Sequence, residues 1–209
     1  MTPAEMVAAI ASISGGGDTK DVNAFASGTW WPEKVIIDTA TIIQLRVLNN
    51  MYGCETLFIG SQAVSVGAYA INNNPDLETL VYLASTTLVA PFINNPELLI
   101  IDGAFNTVGT LGWQTCPKLS TLILRKANTP LPIPSTNCFN STPFKSGGTG
   151  GTIYIPKVLY DHLGDGTSLD YKAATNWSTI DGYGTITWAQ IEGSIYETQY
   201  ADGTPIPTT

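Results

Sequence analysis

Residues 73–80 have the sequence NNPDLETL, residues 94–101 have NNPELLII, and residues 115–122 have TCPKLSTL. Their prolines stand at positions 75, 96 and 117, so the offset is 21 residues both times (96 − 75 and 117 − 96), and a leucine always follows two places later. Self-similarity at a short fixed period is typical of chains whose supersecondary units stack on one another. The three stretches therefore predict a solenoid.

The apolar positions inside each copy explain how the copies would stack. Each copy has two apolar residues three places apart. If the first lies in a bend and the second in the short strand that follows, both side chains can point to the same side of the chain. These pairs are Leu77 and Leu80, Leu98 and Ile101, and Leu119 and Leu122. One copy buries little by itself, so stability would come mainly from contacts between neighbouring copies. We expect a β-rich α/β solenoid: a right-handed leucine-rich repeat stack with short strands, an N-terminal helix and a C-terminal capping module.

An earlier copy, at residues 56–59, has an ambiguous register. Leu57 lies 20 residues before Leu77 and 23 residues before Leu80, and both offsets fit this class of repeat. The sequence leaves both alignments open.

The composition limits the function classes. Of the 209 residues, 44% are hydrophobic and 12% are charged, so the chain can bury a core. The formal net charge of −8 argues against binding to nucleic acid or to an anionic membrane surface. No apolar run approaches the roughly 20 residues that span a bilayer, and residues 1–14 lack the basic region of a signal peptide. Low charge with many Gly, Thr, Ser and Asn residues is typical of β-rich extracellular or virion surfaces. We therefore expect the protein at a cell surface, outside the cell or in a virion, without membrane insertion, and the missing signal peptide leaves a cytoplasmic location as an open alternative.

The three cysteines do not form a recognisable metal or disulfide pattern. Cys54, Cys116 and Cys138 are an odd number and include no C-x-x-C pair. Cys54 and Cys116 each precede a repeat leucine by three residues, which is the place that Asn74 and Asn95 hold in other copies. We expect buried free thiols, no metal site and no cofactor.

The chain divides into three parts. Residues 1–20 contain the capping box TPAE and a glycine run at 15–17, which predict a helix followed by a flexible tether. Because so short a helix is unstable alone in water, we expect it to dock on the solenoid or on another subunit, the latter giving a homo-oligomer. Residues 21–156 would form the solenoid with its N-terminal cap, and residues 157–209 a C-terminal capping module and tail.

The third part contains several short elements. Helices are predicted over residues 156–163 and 169–177, and strand-like alternation occurs at 185–188 and 194–196. Tyr171, Ala174 and Trp177 of the second helix would cover the open end of the solenoid. Residues 203–207, with the sequence GTPIP, are predicted to fray.

Two sets of residues resemble a known family. Residues 67–77 and 103–119 are similar to the G-A-F … N/C-x-x-L phrase of BspA-type leucine-rich repeat proteins of gut and oral bacterial surfaces. Residues 151–156 (GTIYIP) and 171–178 (YKAATNWS) resemble the closing module of many members. The resemblance implies a surface-exposed adhesion protein. Residues 3–17 are similar to segments of phage tail proteins, which makes a virion the competing context.

The side chains that could carry chemistry lack the necessary partners in sequence. His162 follows Asp161 directly, and adjacent residues of a helix point in different directions. The glycine-rich stretch 146–152 lacks the Lys-Ser/Thr of a phosphate-binding loop and precedes a strand rather than a helix. Asp165 and Asp170 do not have the spacing of an EF-hand. We expect neither catalytic residues nor metal ligands.

The expected function is therefore non-enzymatic binding or adhesion, in which the repeat face meets a protein or glycan on a cell surface. The candidate contacts are residues next to or interleaved with the leucines, namely Glu78, Tyr82, Asp102, Ser120 and Arg125. The first alternative is a structural or receptor-binding component of a phage tail. A more distant alternative is a carbohydrate-active enzyme, whose paired carboxylates would have to be assembled from different copies.

The repeat makes a prediction about stability. Leu119→Ala should lower the free energy of unfolding by about 2–5 kcal/mol, because it empties a position in the leucine core. Glu78→Ala, at a position between the leucines, should leave stability nearly unchanged. Urea titrations of the two variants would measure both effects, and equal losses would contradict the repeat.

Overall fold

The computed structural model of this protein describes residues 30–38, 42–43, 48–62, 65–66, 70–84, 94–126 and 128–207. The predicted helix and tether of residues 1–20 lie outside these ranges.

The regular elements are mostly short strands. They are β1 (Lys34–Ile37), β2 (Ile42–Ile43), β3 (Thr56–Ile59), β4 (Ser65–Val66), β5 (Thr79–Tyr82), β6 (Ile100–Gly103), β7 (Thr121–Leu124), β8 (Gly151–Ile155) and β9 (Ile186–Gln190). The two short α-helices are α1 (Lys157–Tyr160) and α2 (Trp177–Asp181), and 3₁₀ helices cover Thr136–Phe139 and Ile195–Glu197.

Seven of the strands form one all-parallel sheet. Its order is β1-β3-β5-β6-β7-β8-β9, so neighbours in the sheet follow one another along the chain, and β2 pairs with β4 in a separate parallel pair. Parallel neighbours require a connection that crosses back over the sheet. The expected strand-rich α/β class with few helices is confirmed.

The pairing resolves the ambiguous register. Leu57 of β3 is paired with Leu80 of β5, and Leu80 is paired with Ile101 of β6. Ile101 is paired in turn with Leu122 of β7. The equivalent residues of the repeated stretches thus stand side by side in the sheet. The leucines before the strands, Leu77, Leu98 and Leu119, are also fully buried.

An aromatic chain continues this core toward the C-terminus. Phe105 packs edge-on against Trp113 (6.2 Å between ring centroids), and Trp113 contacts Phe139 at 4.9 Å. Phe139 contacts Trp177 at 5.6 Å, and Trp177 meets Tyr171 edge-on at 5.2 Å. All five rings are buried.

Tyr171 and Trp177, which were expected to cover the end of the solenoid, form hydrogen bonds with the backbone of Leu131. The Tyr171 hydroxyl accepts the Leu131 N–H at 2.9 Å, and the Trp177 indole N–H donates to the Leu131 carbonyl at 2.7 Å. Because one loop residue thereby has both of its backbone groups satisfied, the loop can be buried without a polar penalty. Both side chains are fully buried, while their role in covering the end of a solenoid stays a prediction.

Two buried asparagines join successive copies through their side chains. Asn74 accepts the Met51 N–H at 2.8 Å and donates to the Leu48 carbonyl at 3.1 Å. Asn95 repeats this one copy later, accepting the Asn74 N–H at 3.0 Å and donating to the Ile71 carbonyl at 3.3 Å. Both side chains are fully buried. We call these two residues the asparagine ladder.

A left-handed backbone occurs at the residue before each ladder asparagine and at the residues before Met51 and Cys116, which hold the equivalent positions in the flanking copies. The φ angles are 54° at Asn50, 55° at Asn73, 57° at Asn94 and 59° at Thr115. Asparagine tolerates this region well, whereas a β-branched threonine does not. The sharp turn therefore recurs in each copy, including the copy in which its sequence is least favourable.

Three of the C-terminal expectations are wrong. Residues 169–176 form turns rather than a helix, because Asn176 has φ of 65°, a left-handed backbone through which a right-handed helix cannot continue. The strand predicted at 194–196 is instead the 3₁₀ helix Ile195–Glu197, and the side chain of the preceding Ser194 accepts the Tyr196 N–H.

The tail at 203–207 is folded back on the chain. Gln199 and Pro205 form an antiparallel β-bridge, and the Ile206 N–H donates to the Thr198 carbonyl at 2.9 Å. The predicted helix over 156–163 is present only as α1, and the strand at 185–188 is confirmed as β9.

The asparagine ladder gives a direct test. Asn74→Ala removes the partners of the Met51 N–H and the Leu48 carbonyl, and a buried unpaired group costs about 1–3 kcal/mol. The unfolding free energy should fall by at least that much in a urea titration. Asn137→Ala serves as the control, because Asn137 is exposed and its side chain makes only a 3.4 Å contact with Asn140. A loss in the control as large as in Asn74→Ala would contradict the ladder's role.

Candidate functional site

Two of the predicted contact residues lie on an exposed row at one end of the sheet. This edge row consists of the residues that directly precede β1, β3, β5, β6 and β7, namely Glu33, Glu55, Glu78, Leu99 and Ser120, all of them exposed. Backbone hydrogen bonds of 2.9–3.0 Å connect each residue of the row to the next. Glu78 and Ser120 are thus presented to solvent on neighbouring strands, as expected, and their role in binding stays a prediction.

The edge row contains three glutamates without salt-bridge partners among the described residues. Glu33, Glu55 and Glu78 directly precede the adjacent strands β1, β3 and β5, and neighbouring strands lie about 4.8 Å apart in a sheet. Like charges directly opposite one another destabilise a sheet. The row therefore keeps a local repulsion that a positively charged partner would relieve.

Tyr82 does not reach solvent. Its side chain is fully buried and stacks on Phe105, with 5.5 Å between the ring centroids and 14° between the ring planes. Side chains alternate between the two faces along a strand. Tyr82 therefore points to the same face of β5 as Leu80, the core residue two positions earlier in the sequence. The interpretation of Tyr82 as an exposed contact is wrong.

Asp102 and Arg125 bind each other rather than solvent. The guanidinium of Arg125 forms two bonds with the Asp102 carboxylate, Nε to Oδ1 at 2.5 Å and Nη2 to Oδ2 at 2.7 Å. The Asp102 side chain is fully buried and that of Arg125 is 13% exposed. Burial raises the pKa of the Asp102 carboxyl, and the Arg125 guanidinium opposes that shift. The interpretation of both as open ligand contacts is wrong, because their charges are paired internally.

The partner that buries this ion pair is the C-terminal segment of the chain. We call residues 196–206 the strap. Arg125 donates from Nη1 to the Tyr196 carbonyl at 2.9 Å and from Nη2 to the Gln199 carbonyl at 3.1 Å. The Ala201 N–H donates to Asp102 Oδ2 at 2.9 Å. The ion pair between Asp102 of β6 and Arg125, which directly follows β7, therefore binds three backbone groups of the strap.

Further contacts continue the strap across the sheet. Tyr196 meets Tyr154 of β8 edge-on at 4.8 Å, and Tyr200 meets Phe58 of β3 at 5.6 Å. The carboxylate of Asp202 is fully buried and pairs with Lys34 of β1 at 2.9 Å. Hydrogen bonds from Thr204 and Lys34 outweigh the effect of burial and hold the pKa of the Asp202 carboxyl below its usual value. The strap thus spans the sheet from β8 to β1.

The strap covers the sheet face opposite the leucine core. In register on that face are Phe58, Val81, Asp102 and Ile123, and all four are buried. A signal for this cover is present in the sequence. The strands contain unbroken apolar runs (LFI, LVY and LIL at 57–59, 80–82 and 122–124) where a half-exposed strand would alternate.

The single histidine and the cysteines are held in structural contacts. His162 Nδ1 lies 2.6 Å from Asp165 Oδ2, and this contact lowers the pKa of the Asp165 carboxyl. Cys54, Cys116 and Cys138 are free and buried, as expected, and burial raises the pKa of each thiol to about 12. In the described part of the chain, no group of three or more His, Cys, Asp and Glu side chains is placed to hold a metal ion.

Comparison with known proteins does not extend this description. No protein-family model matches the chain, and neither a curated protein nor a solved structure gives a significant match. Among the residues that the structure describes, no helix has the length and apolar composition needed to cross a membrane.

The Asp102–Arg125 pair can be tested against a surface pair. Arg125→Ala leaves a buried carboxylate without its counter-charge, so the unfolding free energy should fall by about 3–5 kcal/mol. Lys118→Ala removes the exposed partner of Glu97 and should cost no more than about 1 kcal/mol. Hydrogen exchange at Ala201 should accelerate in Arg125→Ala relative to the Lys118→Ala protein. An unchanged exchange rate would show that the pair does not hold the strap.

The thiols provide a second test. A pKa of about 12 leaves almost no thiolate at pH 8, and the thiolate is the reactive form. Iodoacetamide should therefore leave the native protein unmodified, while the unfolded protein should take up three equivalents, as mass spectrometry would show. Fast modification of a native cysteine would contradict its burial.

Proposed function

We propose that this protein is a non-enzymatic binding module of the BspA-type, built on a right-handed leucine-rich repeat solenoid, that recognises a protein ligand at a cell surface through the edge row. The observation that carries the proposal is the row of exposed side chains at one end of five successive strands, three of them glutamates without salt-bridge partners in the described part.

The repeat geometry supports the solenoid part of the proposal. The Asn74–Asn95 bond joins residues 21 positions apart, which is the offset of the prolines in the sequence. The Leu80–Ile101 and Ile101–Leu122 pairs have the same offset and are buried. Each copy is bonded to the next through equivalent residues, as stacking of identical units requires.

The edge row is favoured over the broad sheet face because the strap occupies that face. Asp102 and Arg125, which were candidate contacts, bind strap residues. A ligand on that face would have to displace the strap, which would leave the buried Asp102–Arg125 ion pair without its hydrogen bonds to the strap backbone. The edge row needs no such rearrangement.

The chemistry of the edge row favours a protein ligand with lysine or arginine side chains. Three glutamates supply negative potential, while Leu99, which is 37% exposed, and Ser120 supply apolar and hydrogen-bonding contacts. Complementary charge of this kind accelerates association and weakens as salt is added.

The phage-tail alternative depends on residues 1–20, which lie outside the described ranges. It stays a prediction from the sequence. The carbohydrate-active enzyme remains the more distant alternative, since two of the buried carboxylates, Asp102 and Asp202, are paired with Arg125 and Lys34.

Binding to immobilised extracellular-matrix proteins and to a printed glycan array tests the proposal. We expect binding to a matrix protein that weakens as salt rises. Ser120→Lys should reduce its affinity about tenfold or more, because it places a cation in the edge row.

Asn128→Lys is the matched control. It makes a similar polar-to-lysine change at an exposed residue beyond the opposite end of β7. Equal losses in the two variants, or no binding to any protein on the panel, would overturn the proposal.

A further inference from the structure

Trp30 and Tyr52 form an exposed aromatic pair on the two chain segments that lead into β1 and β3. Trp30 is 70% exposed and Tyr52 is 41% exposed. Their ring centroids lie 6.2 Å apart, and the ring planes are tilted by 45°. A single exposed apolar residue needs no explanation, whereas large apolar side chains that contact each other at the surface are typical of an interaction site.

The backbone fixes the position of this aromatic pair. Trp30 and Tyr52 form a parallel β-bridge, and the N–H of the buried Trp31 donates to the Tyr52 carbonyl at 2.8 Å. Gly53 has φ of 78°, and a Cβ added there would lie 3.0 Å from Cε3 of Trp30. The six-membered ring of Trp30 therefore packs closely on the Gly53 backbone, which limits the freedom that this side chain would lose on binding a ligand.

A carboxylate reaches the same glycine. Asp76 Oδ2 accepts the Gly53 N–H at 2.7 Å, so this carboxylate lies beside the residue on which the Trp30 ring packs. Asp76 is half-buried, and it forms no salt bridge within the described part of the chain. The hydrogen bond engages only Oδ2, so Oδ1 is available as an acceptor for a ligand.

An aromatic pair beside a carboxylate without a counter-charge suits a cationic side chain. A cation within about 6 Å of a tryptophan ring is attracted by the negative face of the ring. Arginine fits better than lysine, because its planar guanidinium stacks on an aromatic ring while its N–H groups donate to a carboxylate. A neutral sugar ring on Trp30 would leave the charge of Asp76 without a partner.

The edge row strengthens the preference for a cation. Glu33 and Glu55 follow the aromatic pair on the same two chain segments, each three residues later, and both are exposed. Their charges add to the negative potential of Asp76, which attracts a basic ligand and repels an acidic one.

We propose that Trp30, Tyr52 and Asp76 bind an arginine side chain of the protein ligand. This inference deepens the proposed function and rests on it, because the arginine belongs to the protein that the edge row recognises. The arginine site shares no residue with the edge row, so the two can be tested separately.

NMR titration of the isotopically labelled full chain tests the site. The probes are blocked tripeptides with a central arginine, lysine or citrulline between two glycines, and methyl glucoside, each at millimolar concentration. The reporters are the indole N–H of Trp30 and the amide N–H of Gly53. We expect the arginine peptide to shift both signals saturably and the lysine peptide to bind more weakly. The citrulline peptide, which has the shape of arginine without its charge, should bind about fivefold more weakly or less.

Two variants separate the contributions of the charge and the ring. Asp76→Asn retains an acceptor for the Gly53 N–H but removes the charge, and Trp30→Leu retains an apolar side chain but removes the ring. Each should weaken binding of the arginine peptide about fivefold. The Gly53 amide reports on binding in both variants.

Asp165→Asn and Ile195→Ala are the matched controls. Asp165 is an exposed carboxylate that also accepts a backbone N–H, and Ile195 is an exposed apolar side chain at 64% exposure. Both variants should bind the arginine peptide as the wild type does, and the far-ultraviolet circular dichroism of all four variants should match that of the wild type.

Four results would overturn the proposal. They are the absence of a shift with the arginine peptide, equal affinity for the arginine and citrulline peptides, tighter binding of the lysine peptide or of methyl glucoside, and unchanged affinity in Trp30→Leu or in Asp76→Asn. Binding of the arginine peptide without binding to any matrix protein would overturn the edge row and support the arginine site. Binding to a matrix protein without binding of the arginine peptide would overturn the arginine site alone.

Discussion

The asparagine ladder is the constraint on which the segments leading into the central strands depend. A left-handed residue before each ladder asparagine turns the backbone sharply, and an N–H and a carbonyl of the preceding segment are left inside the core. The side chains of Asn74 and Asn95 satisfy both kinds of group at once, donating to one and accepting from the other. An apolar residue at these positions would leave buried polar groups unpaired, which costs more than a typical hydrogen bond contributes.

Cysteine takes over this position where the ladder ends. Cys116 follows Thr115, whose φ of 59° is unfavourable for a β-branched residue, and the backbone of Asn95 hydrogen-bonds its thiol. A thiol is a weak acceptor but packs as a small apolar group. The exchange of amide for thiol thus coincides with the transition from the repeated copies to the aromatic core around Trp113 and Phe139, where apolar packing carries more of the stability.

The sheet has two buried faces, and a different interaction covers each. The leucine side is closed by apolar packing between copies, whereas the other side is closed by the strap, which is fixed to the sheet by the charges of Asp102, Arg125 and Lys34. This arrangement leaves the proposed recognition surface at the periphery of the sheet, in the acidic edge row where the strands begin.

The sequence by itself determined the short strands, the buried leucines and the exposure of Glu78 and Ser120, because these follow from local spacing that recurs along the chain. It also indicated the buried free thiols, because the three cysteines form no disulfide or metal pattern. It also contained the unbroken apolar runs that indicate a second covered face. Only the tertiary structure decided what covers that face, since Arg125 and Tyr196 are 71 residues apart and Asp102 and Ala201 are 99 apart. The environments of Tyr82, Asp102 and Arg125 likewise depend on long-range contacts, which no local pattern specifies.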